Sequence, residues 1–247
     1  MKILVCIAQA PDTTTKISFT DNNTRFNEQG VTYIINPYDE WYAVVKALEL
    51  KEAGKASEVH FVTVGNKNTE TIIRKALALG GDKAFRIDTE STDPVAIAGE
   101  IAAFARDKGY DLVLTGKEAI DYNNASVGAA IAGALDCNYV GMATFLDVDG
   151  HQAKVKREVE GGQAEDKAVL PLVVSCQKDM AEQRIPNMRG IMAARTKPLE
   201  VVPSAGIAAA TEIISYELPP AKTGVKLFGA DQMDALVTAL HNEAKVI

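Results

Sequence analysis

The stretch EVHFVTVGNKNTETIIRKALALGGDKAFRID (58–88) decides the fold. EVHFVTVG (58–65) reads as a strand. TETIIRKALALGG reads as a helix, with Ile72, Ile73, Ala76, Leu77 and Leu79 on its apolar side and Gly80-Gly81 as its stop. KAFRID (83–88) returns to strand. A strand, a helix and a strand joined by short loops predict parallel pairing, with the helix crossing over one face of the sheet.

The same alternation extends in both directions. KILVCIA (2–8) is a continuous apolar run, as a strand buried on both faces requires. ISF and TRFNEQG, within 17–30, read as a small hairpin or an extended excursion. Asn36-Pro37 supplies a helix start, with Asn as cap and Pro at the first helical position. That helix runs through EWYAVVKALELKEAG, with Trp41, Val44, Val45 and Leu48 on one face and Gly54 at its end. Asp93-Pro94 repeats the start before AIAGEIAAFARDKG. YDLVLTG (110–116) is a fourth strand, and 126–135 a further helix. The expected fold class is α/β, a mostly parallel sheet with helices on both faces. Ligands of such sheets bind beyond the carboxyl ends of the strands. The loops to watch are therefore Ala8 to Asp12, the segment leading to Asn36, Val64 to Asn68, and Gly116 to Ser126.

After residue 138 the pattern changes. YVGMATFLDVDG, HQAKVKREVEGG and AVLPLVVSCQ are strand-like, with Asp149-Gly150 as a hairpin signal, and predict an antiparallel extension of the sheet. IPNMRGIMAARTKP (185–198) reads as a loop entering a short helix. Pro203, Pro219, Pro220, Gly224 and Gly229 mark irregular chain. ADQMDALVTALHNEAKV (230–246) reads as an amphipathic helix with Met233, Leu236, Val237 and Leu240 on one side. The expected organisation is an α/β domain over 1–200 and a C-terminal arm over 201–247 that packs on the parent domain or on a partner.

Composition narrows the function. The chain has 247 residues, is 47% hydrophobic and carries a formal net charge of −7. No cluster of Lys and Arg is dense enough for a nucleic-acid footprint. No apolar run approaches a membrane span, and the first strand is too short for a secretory signal, so a cytoplasmic location is expected. Cys6, Cys137 and Cys176 are few, odd in number and widely spaced, as buried free thiols would be. His60, His151 and His241 have no ligand spacing, and no metal site is expected.

There is no phosphate-loop motif and no G-x-G-x-x-G after the first strand. GKEAIDYNNASVGAAIAGAL (116–135) offers another device: a strand end, polar side chains, then a helix rich in Ala and Gly. The free N–H groups of a helix start suit a phosphate. Ser126 can cap the helix, Gly128, Ala129 and Ala130 leave room for a ligand, and Asp121 and Asn123 could bind a ribose or a base edge. An ordinary turn and cap accounts for the same residues. Lys156, Arg157, Glu158 and Glu160 alternate with valines, as on the solvated face of a strand, and Gly161-Gly162 reads as a hairpin turn. In Arg184 to Arg195, Ile185, Met188 and Met192 stand among basic residues, which fits either a docking site or a short amphipathic helix.

VKREVEGGQAEDKAVLPLVV (155–174) followed by RIPNMRGIMAARTKPLEV (184–201) resembles the signature region of the electron transfer flavoprotein β-subunit family. ILVCIAQAPDT, INPYDEWY, VTVG, IRKALALGGDKA and LTGKEAID resemble that family in order and spacing, so the likeness covers about residues 1–200. It implies an adenine-nucleotide-hydrolase-like α/β fold without hydrolase activity. It also implies a heterodimer with an α subunit that holds most of an FAD. The small subunit would hold AMP or a second FAD. Carried onto this chain, the cofactor-binding residues would be Cys6, Ala8, Gln9, Asn36, Pro37, Tyr38, Asp39 and Val64. The stretch Gly116, Lys117, Glu118, Ala119, Ile120, Asp121, Tyr122, Asn123, Asn124, Ala125, Ser126 and Val127 would complete the set. Arg184, Met188 and Ile191 would dock a dehydrogenase, and Glu158 would face the flavin domain of the α subunit.

Two departures from the family pattern stand out. Many members have Asp-Gly-Asp-x-x-Gln-Val-Gly where this chain has Asp121 to Gly128, so Tyr122 adds bulk and Asn123 removes an acid. Ala8 replaces a lysine common in the family. The resemblance implies an electron carrier rather than an enzyme, with acyl-CoA dehydrogenase-like donors and a quinone-linked acceptor. The alternative is a stand-alone nucleotide-binding or sensing module of the same fold.

Overall fold

The computed structural model describes residues 1–222 and 224–247; Thr223 lies outside them. In chain order the strands and helices begin with β1 (Lys2–Cys6), β2 (Gln9–Pro11), β3 (Phe19–Thr20), β4 (Arg25–Phe26), β5 (Tyr33–Ile35), α1 (Glu40–Glu52), β6 (Glu58–Val64) and α2 (Glu70–Leu79). They continue with β7 (Lys83–Asp88), α3 (Pro94–Ala105), β8 (Leu112–Gly116), α4 (Val127–Leu135), β9 (Asn138–Asp149) and β10 (Gln152–Val159). The last are β11 (Gly162–Val169), β12 (Leu172–Cys176), α5 (Met188–Ala194), β13 (Leu199–Pro203) and α6 (Met233–Ala239).

The main sheet has nine strands in the order β11-β10-β9-β12-β8-β1-β6-β7-β13. β9, β12, β8, β1, β6, β7 and β13 run parallel, as the strand–helix alternation predicts. Strands with period two send alternate side chains to opposite faces. Ile3 and Val5 thus join one core, with α1 and α2, while Leu4 and Cys6 join the other, with α3 and α4. The helices cover both faces, and the fold is α/β.

β9, β10 and β11 form the expected antiparallel extension, turning at Gly150 (φ 56°) and Gly161 (φ 82°). The third strand-like stretch, AVLPLVVSCQ, behaves differently. Its LVVSC part leaves the extension and inserts as β12, parallel between β9 and β8. All five residues of β12 are buried, which suits a doubly covered parallel strand better than an edge. β13 pairs in parallel with β7 and had no strand signal in the sequence reading.

Local signals set several boundaries. α1 ends in a Schellman arrangement: Lys55 N–H donates to Leu50 O and Gly54 N–H to Lys51 O, with Gly54 at φ 73°. Asp93 caps α3, its carboxylate accepting Ala96 N–H at 2.6 Å, and Pro94 follows as the first helical residue. Asn36-Pro37 does not start α1. The helix begins at Glu40, and Asn36 instead closes an Asx turn by accepting Tyr38 N–H at 2.9 Å. Its side chain is spent on that turn and on a long-range bond described below.

Beyond β13 the chain lies along α3. Glu100 accepts Ser204 Oγ–H (2.6 Å), Ala205 N–H (2.8 Å) and Ile207 N–H (3.0 Å). The second oxygen of Asp93 accepts Thr211 N–H at 2.9 Å. All this belongs to one compact unit, Met1–Ile17 with Asn27–Ile214. A second unit joins Ser18–Phe26 to Ser215–Ile247. Within it β3 and β4 form the expected hairpin, Tyr216 N–H donates to Asn23 O at 2.7 Å, and Phe19 stacks on Tyr216 at 4.9 Å. The expected helix over 230–246 is shorter here. α6 ends at Ala239, a π-type turn follows, and no residue of α6 is buried. Among the described residues no helix is long and apolar enough to cross a membrane.

Candidate functional site

β1 lies between β6 and β8, and successive connections leave it in opposite directions. In parallel sheets ligands bind at such a switch point, beyond the carboxyl ends of the strands, here those of β1 and β8. Three expected segments meet there: Ala8 after β1, Asn36 to Asp39 before α1, and Gly116 onward after β8. Their contacts are specific. The side-chain amide of Asn36 donates to Glu118 O at 2.7 Å. Asp39 Oδ2 stands 3.4 Å from both Glu118 N and Asn36 Nδ2, at the long end of hydrogen bonding. Gly116 is required by close approach: a Cβ there would lie 2.8 Å from Glu40 Cγ and 3.1 Å from Asp39 Cβ.

Glu40 is a participant that sequence reasoning missed by stopping at Asp39. It is only 7% exposed, and both carboxyl oxygens lie 3.1 Å from Ala8 N, whose N–H they accept. Burial, against the pull of the Ala8 N–H, pushes its carboxyl up to about 8, and the charges of Asp121 and Asp39 add to the rise. The available signal was a second acid following Asp39 at a helix start. Burial also raises the Asp39 carboxyl and pushes the Cys6 thiol far up, so Cys6 is an inert core thiol at the end of β1. Lys117 pairs with Glu118 at 2.8 Å, which holds the amine above its ordinary range.

The loop from Ala119 to Ser126 is tightly turned. Asn123 N–H donates to Ala119 O at 2.9 Å, and Tyr122 N–H to Asp121 Oδ1 at 3.0 Å. Asn123 and Ala125 both sit in the left-handed region at φ 49°, a conformation tolerated by Asn and costly for Ala. Ser126 occupies the N-cap position of α4 but makes no side-chain cap, so the first-turn N–H groups gain nothing from it. Tyr122 is exposed. Gly128 is needed where α4 meets the sheet, since a Cβ would lie 2.8 Å from Thr115 Oγ1. Gln9 Oε1 and Thr115 Oγ1 are buried without a hydrogen-bond partner among the described residues. Ile120, Asn124 and Val127 complete this loop and the start of α4. Val64 ends β6, one strand away from the cluster.

The sequence matches the electron transfer flavoprotein domain family over residues 23–206. It is 35% identical to the electron transfer flavoprotein subunit beta of Bacillus subtilis over the whole of both chains. The Syntrophomonas wolfei protein of that name is 34% identical, over 97% of this chain and 94% of its own. The human one is 32% identical over 92% of each. The chain belongs to the electron transfer flavoprotein β-subunit family.

The family's second expected surface is the segment from Arg184. Arg184 forms a two-pronged pair with Glu52 (2.7 and 2.9 Å), and its carbonyl accepts the Trp41 indole N–H at 3.1 Å. Asn187 caps α5 by accepting Gly190 N–H at 2.8 Å. Gly190 allows α5 to press on α2, since a Cβ would lie 2.2 Å from Ala78 O. With its frame so fixed, α5 exposes Met188 (72%), Ile191 (40%) and Met192 (54%), next to Ile185. Gln183 Nε2 donates to Pro37 O at 2.9 Å, so this surface borders the Asn36–Asp39 turn. Glu158, on β10, accepts Gln177 Nε2–H at 2.9 Å. The described residues contain no cluster of His, Cys, Asp and Glu that could hold a metal ion.

Proposed function

We propose that this chain is the β subunit of a heterodimeric electron transfer flavoprotein. It binds an adenine nucleotide, AMP or a second FAD, helps form the FAD site of an α subunit, and docks a donor dehydrogenase. The observation that carries the reading is the convergence of Ala8, Asn36–Asp39 and Gly116–Ser126 at the switch point between β1 and β8, in a chain of this family.

The residues fit a nucleotide. The uncapped start of α4 offers N–H donors to a phosphate. The buried, unpartnered Gln9 Oε1 is an acceptor ready for a donor such as an amino group. Tyr122 presents an aromatic face on the loop for stacking. A bound flavin would supply the electron chemistry, while the protein positions it and sets its electrostatics. Of the arm expected over 201–247, the part beyond Ile214, Ser215–Ile247, packs on the α subunit. Arg184, Met188 and Ile191 meet an acyl-CoA dehydrogenase-like donor, and Glu158 faces the flavin domain of the α subunit. The electrons then pass to a quinone-linked acceptor. The chain alone breaks and makes no bonds.

Co-expression with an electron transfer flavoprotein α subunit, followed by counting flavin and AMP per complex, tests the reading. One FAD with one AMP, or two FAD without AMP, supports it and tells the two nucleotides apart. A stable monomer that pairs with no α subunit and carries no nucleotide overturns it. A nucleotide-bearing monomer without a partner favours the stand-alone module.

A further inference from the structure

We propose that Glu40 is a positioning residue of the nucleotide site: as a neutral carboxylic acid it holds the Ala8 turn, and its ionisation weakens nucleotide binding. The inference rests on the nucleotide reading above.

Glu40 opens α1 beside the ends of β1 and β8 and is almost wholly shielded from water. Its two oxygens share the Ala8 N–H, so it fixes where the chain turns after β1. Gly116 presses against its side chain, so the carboxyl cannot swing out without moving the end of β8. No described Lys or Arg forms an ion pair with it; the nearby Lys117 amine is held by Glu118. The titratable groups facing it are Asp39 beside it, Asp121 from the loop after β8, and the Cys6 thiol from β1. An ionised Glu40 would be a buried negative charge without a cation, close to two other acids. Burial and those acids accordingly hold its carboxyl up to about 8, although the N–H groups of Ala8 and Asn36 favour the ion.

A phosphate monoester loses its second proton around pH 6, so from about pH 7 upward the ligand's charge is nearly constant. The Cys6 thiol and the Lys117 amine are both shifted up and stay protonated through this range. Ionisation of Glu40 is then the change that adds repulsion. If only the neutral form binds, linkage gives about a tenfold loss of affinity between pH 7 and pH 9.

The test is calorimetric titration of the full chain, in the assembly in which it purifies, with AMP from pH 6.5 to 9, beside Glu40→Gln. The wild type should lose affinity about tenfold between pH 7 and 9 and the variant should stay flat. Parallel profiles in the two proteins would overturn the proposal. Absence of binding in both at every pH, with AMP and with FAD titrated in its place, would overturn the nucleotide reading, and the coupling with it. Melting curves separate the two failures. A proton held by folded Glu40 makes the wild type lose stability relative to Glu40→Gln as pH rises from 5 to 9, whether or not nucleotide binds. Melting curves that track each other would show that Glu40 carries no such proton.

Discussion

The side-chain amide of Asn36 donates to the carbonyl of Glu118 at 2.7 Å, joining the turn before α1 to the loop after β8. Asn36 is 1% exposed, so the donor end of this bond lies away from water, while Glu118 is partly buried. Asn36→Ala would strand the Glu118 carbonyl and open the Asx turn at Tyr38 N–H. The expected loss is about 1–3 kcal/mol, read as a lower urea midpoint with an unchanged slope. The amount of co-purifying nucleotide should fall with it.

Ala125 is held at φ 49°, where a Cβ is strained and glycine is not. Ala125→Gly should therefore leave stability unchanged or raise it by up to about 1 kcal/mol, relief of strain outweighing the extra freedom of the unfolded chain. Thermal melting checks the sign. A clear loss would mean that the methyl group makes contacts worth more than the strain.

Met188 is exposed on a helix anchored by Asn187, Gly190 and Arg184. Met188→Glu should change stability by no more than about 0.5 kcal/mol, as expected for a surface position. Electron uptake from an acyl-CoA dehydrogenase should nevertheless fall at least tenfold through a raised KM for the carrier. An unchanged KM would remove Met188 from the docking surface.

Asp93 and Glu100 hold residues 204–211 along α3, and hydrogen bonds from that segment help depress both carboxyls. For a depressed acid, the stabilisation is present above the unfolded value and is lost as pH falls through the folded one. The hold on residues 204–214 should therefore begin to weaken only below about pH 4.5, the ordinary glutamate value, and be lost as pH falls on through the lower folded values. Glu100→Gln should loosen them already at pH 7. Hydrogen exchange at Ala205 and Ile207 measures both, and protection that is equal in wild type and variant would count against the latch.

The features legible in the sequence were those with local causes. The period of 70–79, the Asp93-Pro94 start and the glycines at 54, 150 and 161 each act within a few residues, and each gave its element. The loops at the strand ends were legible too, because topology alone says where a parallel sheet binds. The misreadings involve partners far along the chain. Asn36 looks like a cap until Glu118, which claims its amide, is brought beside it. LVVSC reads as one more strand of a hairpin set, and only its burial between β9 and β8 makes it parallel. Glu100 received no reading at all, since its role exists only once Ser204 to Ile207 fold over it. Glu40 has no periodic signature at all, since its place is set by the backbone of Ala8.

The smaller unit is built from two segments far apart in the sequence, Ser18–Phe26 and Ser215–Ile247, with Tyr216 closing on Asn23 and Phe19. On the ribosome the hairpin of β3 and β4 emerges well before its partner segment. Everything from Asn27 to Ile214 is made in between, about 10–40 s at ordinary elongation rates. For that interval Phe19 waits without its stacking partner while the α/β unit assembles. A chain cut short before Tyr216 would keep the parallel sheet and leave that hairpin permanently unmatched.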